Sequence, residues 1–167
     1  RTQLPDAEGD ESAASVEQYR GAIWPLYETM SPVQLWDGKF MPPVTGTRRY
    51  GYGMGSVLPG ATTSIRHAGV DYNVQSVQPV GAPNAGTVVF SGALGLTGNT
   101  VVIEHGGGIK SFLYHLSTLS VTTGTSVTKG MELGTLEPDK TLHYEVRIGN
   151  KTVNPDGLLD GTSKLYF

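Results

Sequence analysis

Apolar and polar residues alternate most cleanly near the end of the chain. Leu142, Tyr144, Val146 and Ile148 interleave with Thr141, His143, Glu145 and Arg147. A strand there sends the first set into a core and the second to a polar face. The same β-type pattern runs back through Val70 to Val74, Gly86 to Phe90, Thr100 to His105, Ile109 to Leu116 and Met131 to Leu136, with shorter segments around Val121 and Val127. Their β-branched and aromatic residues favour a pleated, half-buried surface. Gly81-Ala82-Pro83 predicts a turn, and Gly106-Gly107-Gly108 a hairpin connection. Earlier in the chain, Gln34 to Phe40 reads as a hairpin around Asp37-Gly38. Arg1 to Ser15 is polar, acidic and rich in small residues, as in a linker. Ser15 to Tyr19 predicts a helical turn, and Pro25 and Pro32 interrupt the stretch after it. Arg48 to Gly60, with Tyr50-Gly51-Tyr52-Gly53-Met54-Gly55, reads as an exposed loop, either a flexible connection or the border of a substrate groove.

Composition agrees with many short strands joined by turns. Of 167 residues only 16% are charged, while Gly 23 and Pro 10 supply abundant turn formers. The expected organisation is a lead-in over 1–33 and one all-β domain over 34–167, with a C-terminal tail from about 155. A net charge of -3 without clustered Lys and Arg argues against a nucleic-acid binder. The chain has no cysteine, which excludes disulfides, thiol nucleophiles and Cys-bound zinc. It begins at Arg1, so its start tells nothing of a leader or anchor.

Candidate chemistry centres on His67-Ala68-Gly69-Val70-Asp71. In an extended strand His67 and Asp71 share a face, Val70 and Tyr72 take the core side, and Gly69 leaves room between them for an ion. One imidazole nitrogen and one carboxylate oxygen suit zinc, as would a further histidine. His143, on the polar side of the last strand, completes a set of two nitrogens and one oxygen with a fourth tetrahedral position open. Amide hydrolysis also needs a proton-handling group and a donor to the developing oxyanion. His115, closing Ser111 to His115, is the candidate for both roles. His105, at a strand end beside three glycines, is assigned a structural role. Glu145 shares a face with His143 but equally suits pairing with Arg147.

His67 to Asp71, Gly86-Thr-Val-Val, Gly98 to Gly106, Tyr114-His115-Leu116-Ser117 and Leu142-His143-Tyr144-Glu145-Val146 occur in this order. Together they resemble the lysostaphin-type, or LytM, zinc metallopeptidase domain over roughly Leu35 to Pro155. That resemblance implies a compact antiparallel β-sheet, sandwich-like, with a groove across it. It also implies a zinc-dependent endopeptidase that cuts peptide cross-links or stems of bacterial peptidoglycan. His67, Asp71 and His143 would be the zinc ligands, and His115 would position water or stabilise the transition state. The first histidine of the family's His-x-His is replaced here by Thr141, and Leu136 to Lys140 stands in place of the usual Gly- and Thr-rich turn. The alternative implied is a catalytically impaired module that binds peptidoglycan or an envelope protein partner. A monomer in an extracytoplasmic, wall-facing location is expected in either case.

Overall fold

The computed structural model describes residues 12–57 and 64–161. Its strands in chain order are β1 (Thr47–Tyr50), β2 (Gly55–Val57), β3 (Ser64–Arg66), β4 (Val70–Asn73), β5 (Gln78–Gly81), β6 (Gly86–Leu94), β7 (Gly98–Gly106), β8 (Ile109–Leu116), β9 (Thr118–Leu119), β10 (Ser126–Val127), β11 (Glu132–Leu136), β12 (Leu142–Ile148) and β13 (Lys151–Val153). Helix α1 (Ala13–Glu28) precedes them and a short α2 (Asp156–Leu159) comes after. The main sheet runs β1-β4-β12-β8-β7-β6-β10, with β13 on β12. Its pairings are antiparallel. A second sheet, β5-β11-β9, is also antiparallel, so the all-β expectation holds.

The period of two decides the layers. Val101 and Val102 are neighbours in sequence yet belong to different clusters, because successive strand residues face opposite ways. On one face Val70, Val101, Ile103, Leu113, Leu142, Tyr144 and Val146 pack against Val80, Leu133 and Leu136 of the second sheet. The other face carries Val102, Phe112 and Tyr114, and α1 lies over them. The order is therefore small sheet, large sheet, helix.

The N-terminal region departs most from the sequence reading. The pattern predicts a single helical turn, but α1 runs 16 residues and continues through Pro25. Ser12 caps it, its Oγ accepting from the Ser15 N–H at 3.3 Å. An interior proline costs about 3 kcal/mol. Complete burial of Ile23 alone returns about 1.5–3 kcal/mol. Tyr19, Ala22, Leu26 and Tyr27 pack on the same cluster, so packing outweighs the proline. The helix is also held beyond its C-terminal end. Buried Lys110 donates to the Thr29 carbonyl and pairs with Glu104 at 3.1 Å. Glu104 in turn accepts from the Ser31 N–H at 2.7 Å.

Three further expectations are corrected. Gln34 to Phe40 does not form a hairpin. It is a strap whose backbone bonds go elsewhere, with Leu35 and Trp36 N–H donating to the His105 carbonyl and Phe40 N–H to the Leu158 carbonyl. The stretch after Arg48 is not simply a loop. It contains β1, a turn at Gly51 to Met54, and β2 paired with β3, while residues 58–60 lie outside those described. Ile148 alternates inward on paper but is 41% exposed, because β12 outruns the core at that end. Among the described residues no helix is long and apolar enough to cross a membrane.

His105 is structural, as expected. Its Nδ1–H donates to the Ala85 carbonyl at 2.8 Å, so Nε2 of the neutral ring accepts from the Ser111 hydroxyl at 2.7 Å. Burial pushes its pKa from 6.5 down to about 4, opposed only by the Ala85 bond. Below pH 6.5 the unfolded chain takes up a proton that the folded chain refuses, so this contribution is complete above 6.5 and is lost as pH falls towards 4. Chemical denaturation between pH 7 and pH 4 should show a loss on the order of 3 kcal/mol from this residue. His105→Asn should flatten that slope, whatever its stability at neutral pH. An unchanged slope would refute the assignment.

Candidate metal centre

Register across β4, β12 and β8 builds the site. Asp71 pairs with His143, and His143 pairs with Tyr114, so the three side chains lie abreast on the face turned from the main core. His67 joins them from outside the sheet, because β4 begins only at Val70. The strict alternation expected from His67 to Asp71 is therefore absent. The backbone of His67 is instead clamped to the preceding turn, with its N–H donating to Met54 O and its carbonyl accepting from Gly53 N–H, both at 2.9 Å. Gly69 also differs from expectation. It does not make room for an ion, since an added Cβ would lie 2.3 Å from the Tyr144 carbonyl oxygen. Its lack of a side chain lets the chain cross closely over β12.

The hydrogen bonds define the ring tautomers. His67 Nδ1 lies 3.0 Å from the Gly51 carbonyl, which can only accept, so Nδ1 carries the proton. Nε2 lies 3.2 Å from Asp71 Oδ1, an ion-pair distance, and among the described residues it makes no hydrogen bond. His143 Nδ1 approaches the same Oδ1 at 2.6 Å, while its Nε2 meets Glu145 Oε1 at 2.9 Å. Glu145 Oε2 accepts from Arg147 Nε at 3.0 Å.

His67, Asp71 and His143 thus offer ligand atoms within 4.8 Å of one another. All three side chains are buried, at 5%, 2% and 1% exposure. Without a cation, His143 must hold two protons to serve both carboxylates. Burial opposes that charge, but bonds to Asp71 and Glu145 prevail and raise its pKa to about 9. Burial likewise opposes the Asp71 carboxylate, yet the two histidines bring it to about 2. Glu145 is also lowered, with burial overruled by His143 and Arg147. An orphaned nitrogen beside a carboxylate and a second imidazole is a donor set that fits zinc.

His115 enters through a β-bulge. Asn99 pairs with Leu116 and Val101 with Leu113, so Tyr114 and His115 together oppose Thr100. Leu113 and Leu116 both reach the core, three positions apart, and the extra residue is turned away from it. His115 has φ 69, alone among the described non-glycine residues in being positive. Burial lowers its pKa to about 4, and the charges of His143, Asp71 and Lys140 also act on it.

The model of peptidase family M23 matches residues 65–155, more than half of the chain. The chain belongs to peptidase family M23. The DD-carboxypeptidase/endopeptidase Mpg of Neisseria meningitidis serogroup B is 35% identical over 111 residues, which are 64% of this chain and 25% of that protein. The chain thus spans about a quarter of the length of that curated relative. Lipoprotein NlpD of Yersinia enterocolitica is 36% identical over 83 residues, covering 47% of this chain and 86% of the relative. Among solved structures, a peptidase M23 from Pseudomonas aeruginosa superposes with TM-score 0.72 at 26% identity, covering 92% of this chain and 64% of that one. The catalytic domain of lysostaphin from Staphylococcus simulans gives TM-score 0.59 at 25% identity, covering 69% and 92%.

Within this M23 domain Thr141 is buried just ahead of β12, and its Oγ1 accepts from Asn73 Nδ2 at 3.0 Å. Sequence reasoning missed several contributors. The Gly51 carbonyl and Asn73 carried no pattern that pointed to the site. Glu145 was visible as sharing a face with His143, but its hydrogen bond to that ring was not. Gly69→Ala would drive a methyl group into backbone that cannot move aside, displacing His67 from Asp71. Overpacking of this kind costs about 1–3 kcal/mol or more. Thermal unfolding should show that loss together with weakened metal uptake, whereas Gly21→Ala, which has open space around it, should be neutral or stabilising.

Proposed function

We propose that the chain is a zinc-dependent endopeptidase that cuts peptide cross-links or stems of bacterial peptidoglycan outside the cytoplasm. The observation that carries this is the convergence of His67 Nε2, His143 Nδ1 and Asp71 Oδ1, with the first left without a hydrogen-bond partner among the described residues. Membership of family M23 supports the peptidase class. The names of two similar proteins, a DD-carboxypeptidase/endopeptidase and the antimicrobial peptidase lysostaphin, support the substrate class. A relative named as a lipoprotein supports the envelope location.

In this reading His67, Asp71 and His143 hold the ion, and the Gly51 carbonyl and Glu145 fix the ring tautomers. Bound zinc supplies Lewis acidity to a water and to a peptide carbonyl. His115 is neutral at pH 7 because it is buried. Its Nδ1 edge lies against Gly98, so Nε2 is the atom assigned to moving a proton or donating to the developing oxyanion. Thr141 Oγ1 accepts from Asn73 and keeps its own proton to donate to a water.

The purified chain supplied with zinc should release soluble peptides from peptidoglycan sacculi. His143→Ala and His67→Ala should lose both zinc and cleavage. His115→Ala should keep zinc and lose about 100- to 1,000-fold in rate. Zinc uptake with no peptide released by the unmodified chain would overturn the endopeptidase and leave a binding module.

A further inference from the structure

The family match begins at residue 65, yet several groups around His143 are held by helix α1, which comes earlier in the chain. We propose that α1 is a working part of the metal site, in which Tyr19 and Tyr27 hold Tyr114 and Arg147, and these fix the His143 ring and the Glu145 carboxylate. This rests on the zinc reading above and extends it to residues outside the matched segment.

Two routes connect the helix to His143. In the first, Glu145 Oε1 accepts from His143 Nε2 at 2.9 Å, which leaves Nδ1 as the atom facing Asp71. The second oxygen of Glu145 is occupied by Arg147 Nε at 3.0 Å. The Arg147 guanidinium lies over the Tyr27 ring at 4.8 Å and over Phe112 at 5.8 Å. Tyr27 also meets Phe112 edge-on, with centroids 5.8 Å apart. In the second route, the Tyr114 ring stacks on His143 at 5.5 Å and only 6° from parallel. The Tyr114 hydroxyl bonds to Tyr19 at 3.1 Å, and Tyr19 bonds to Tyr27 at 3.0 Å. The tyrosine hydroxyls close the two routes onto one helix.

The helix is seated firmly enough for this role. Near its start the Gly95 N–H donates to Gln18 Oε1 at 2.9 Å, and Ser15 packs so tightly that a Cβ on Gly95 would lie 2.3 Å from its Oγ. Beyond its end Thr29 and Ser31 are held by the Lys110–Glu104 pair. Between these anchors Ile23 is wholly buried. Tyr19, Tyr27, Arg147 and Glu145 are therefore positioning residues, which act on the ion only through His143.

A purely structural helix would change stability without changing the ion's surroundings, and the two roles separate by measurement on the whole chain. Zinc affinity is read by competition with a chelating dye, and coordination by the visible spectrum of the cobalt-substituted protein. Glu145→Gln preserves shape and should weaken zinc binding by about 10- to 100-fold, with a shifted cobalt spectrum. The metal-free protein should also melt lower, because Arg147 loses its buried ion-pair partner, so the cobalt spectrum is the readout that separates a changed ion environment from lost stability. Tyr19→Phe with Tyr27→Phe keeps both rings and removes the bridging hydroxyls. It should weaken binding several-fold and move the cobalt spectrum in the same direction. Parent-like affinity and spectrum in Tyr19→Phe with Tyr27→Phe would overturn the role of α1 while leaving the zinc reading intact. Failure of the unmodified chain to take up zinc would overturn both.

Discussion

Burying a carboxylate, an imidazole and a second carboxylate in one row is the most demanding constraint in this molecule. Asp71, His143 and Glu145 are at most 6% exposed, and each charge so placed must find a partner or be given up. The row is tolerated because it lies on the back of a strand whose other side is fully committed. Leu142, Tyr144 and Val146 are completely buried between the sheets, which forbids β12 to slip by one residue. The same register sets His143 opposite Asp71 on one neighbour and Tyr114 on the other. Core packing on one face thus determines the chemistry on the other.

Regular strands alone would not finish the site. A flat β8 would send His115 into the core side, and the bulge at Tyr114 and His115 turns it outward while Leu116 regains the core position. Gly69 lets β4 approach β12 closely enough for His67 to reach Asp71. The turn at Gly51 to Met54 then grips His67 from behind. Each of these irregularities costs backbone freedom or strain, and each lies beside the same three side chains, as strained positions do at functional sites.

The parts of the site legible in the sequence are those that periodicity carries. Alternation placed His143 and Glu145 on one face and Leu142, Tyr144 and Val146 on the other, because a strand's period is fixed by its geometry. It could not say that Glu145 bonds the ring of His143, since a face is not a partner. Helix α1 was under-read because Gly21 and Pro25 are poor helix residues in isolation, and their cost is met only by a sheet face that is remote in sequence. The strap from Gln34 to Phe40 misled for a related reason. Asp37-Gly38 does make a turn residue with positive φ at Gly38, but the flanking backbone bonds to His105 and Leu158 instead of to itself. Local chemistry was right there, and the long-range partner was invisible.

Charge balance gives the proposed cation one particular place in this row. Arg147 offsets one carboxylate, through its bond to Glu145. Asp71 is then left facing His67 Nε2 and His143 Nδ1. If His143 carries a second proton the row is neutral, but His67 Nε2 still finds no hydrogen-bond partner among the described residues. If neither histidine carries a second proton, three acceptors face one another in a space nearly closed to water, with nothing to hold them together. A proton can bridge only two of them, because a hydrogen bond joins one donor to one acceptor. A divalent ion can satisfy all three at once. Glu145 then keeps its own hydrogen bond to Nε2 undisturbed, which is why the outer carboxylate and the aromatic cover that supports it belong to the same design as the inner three.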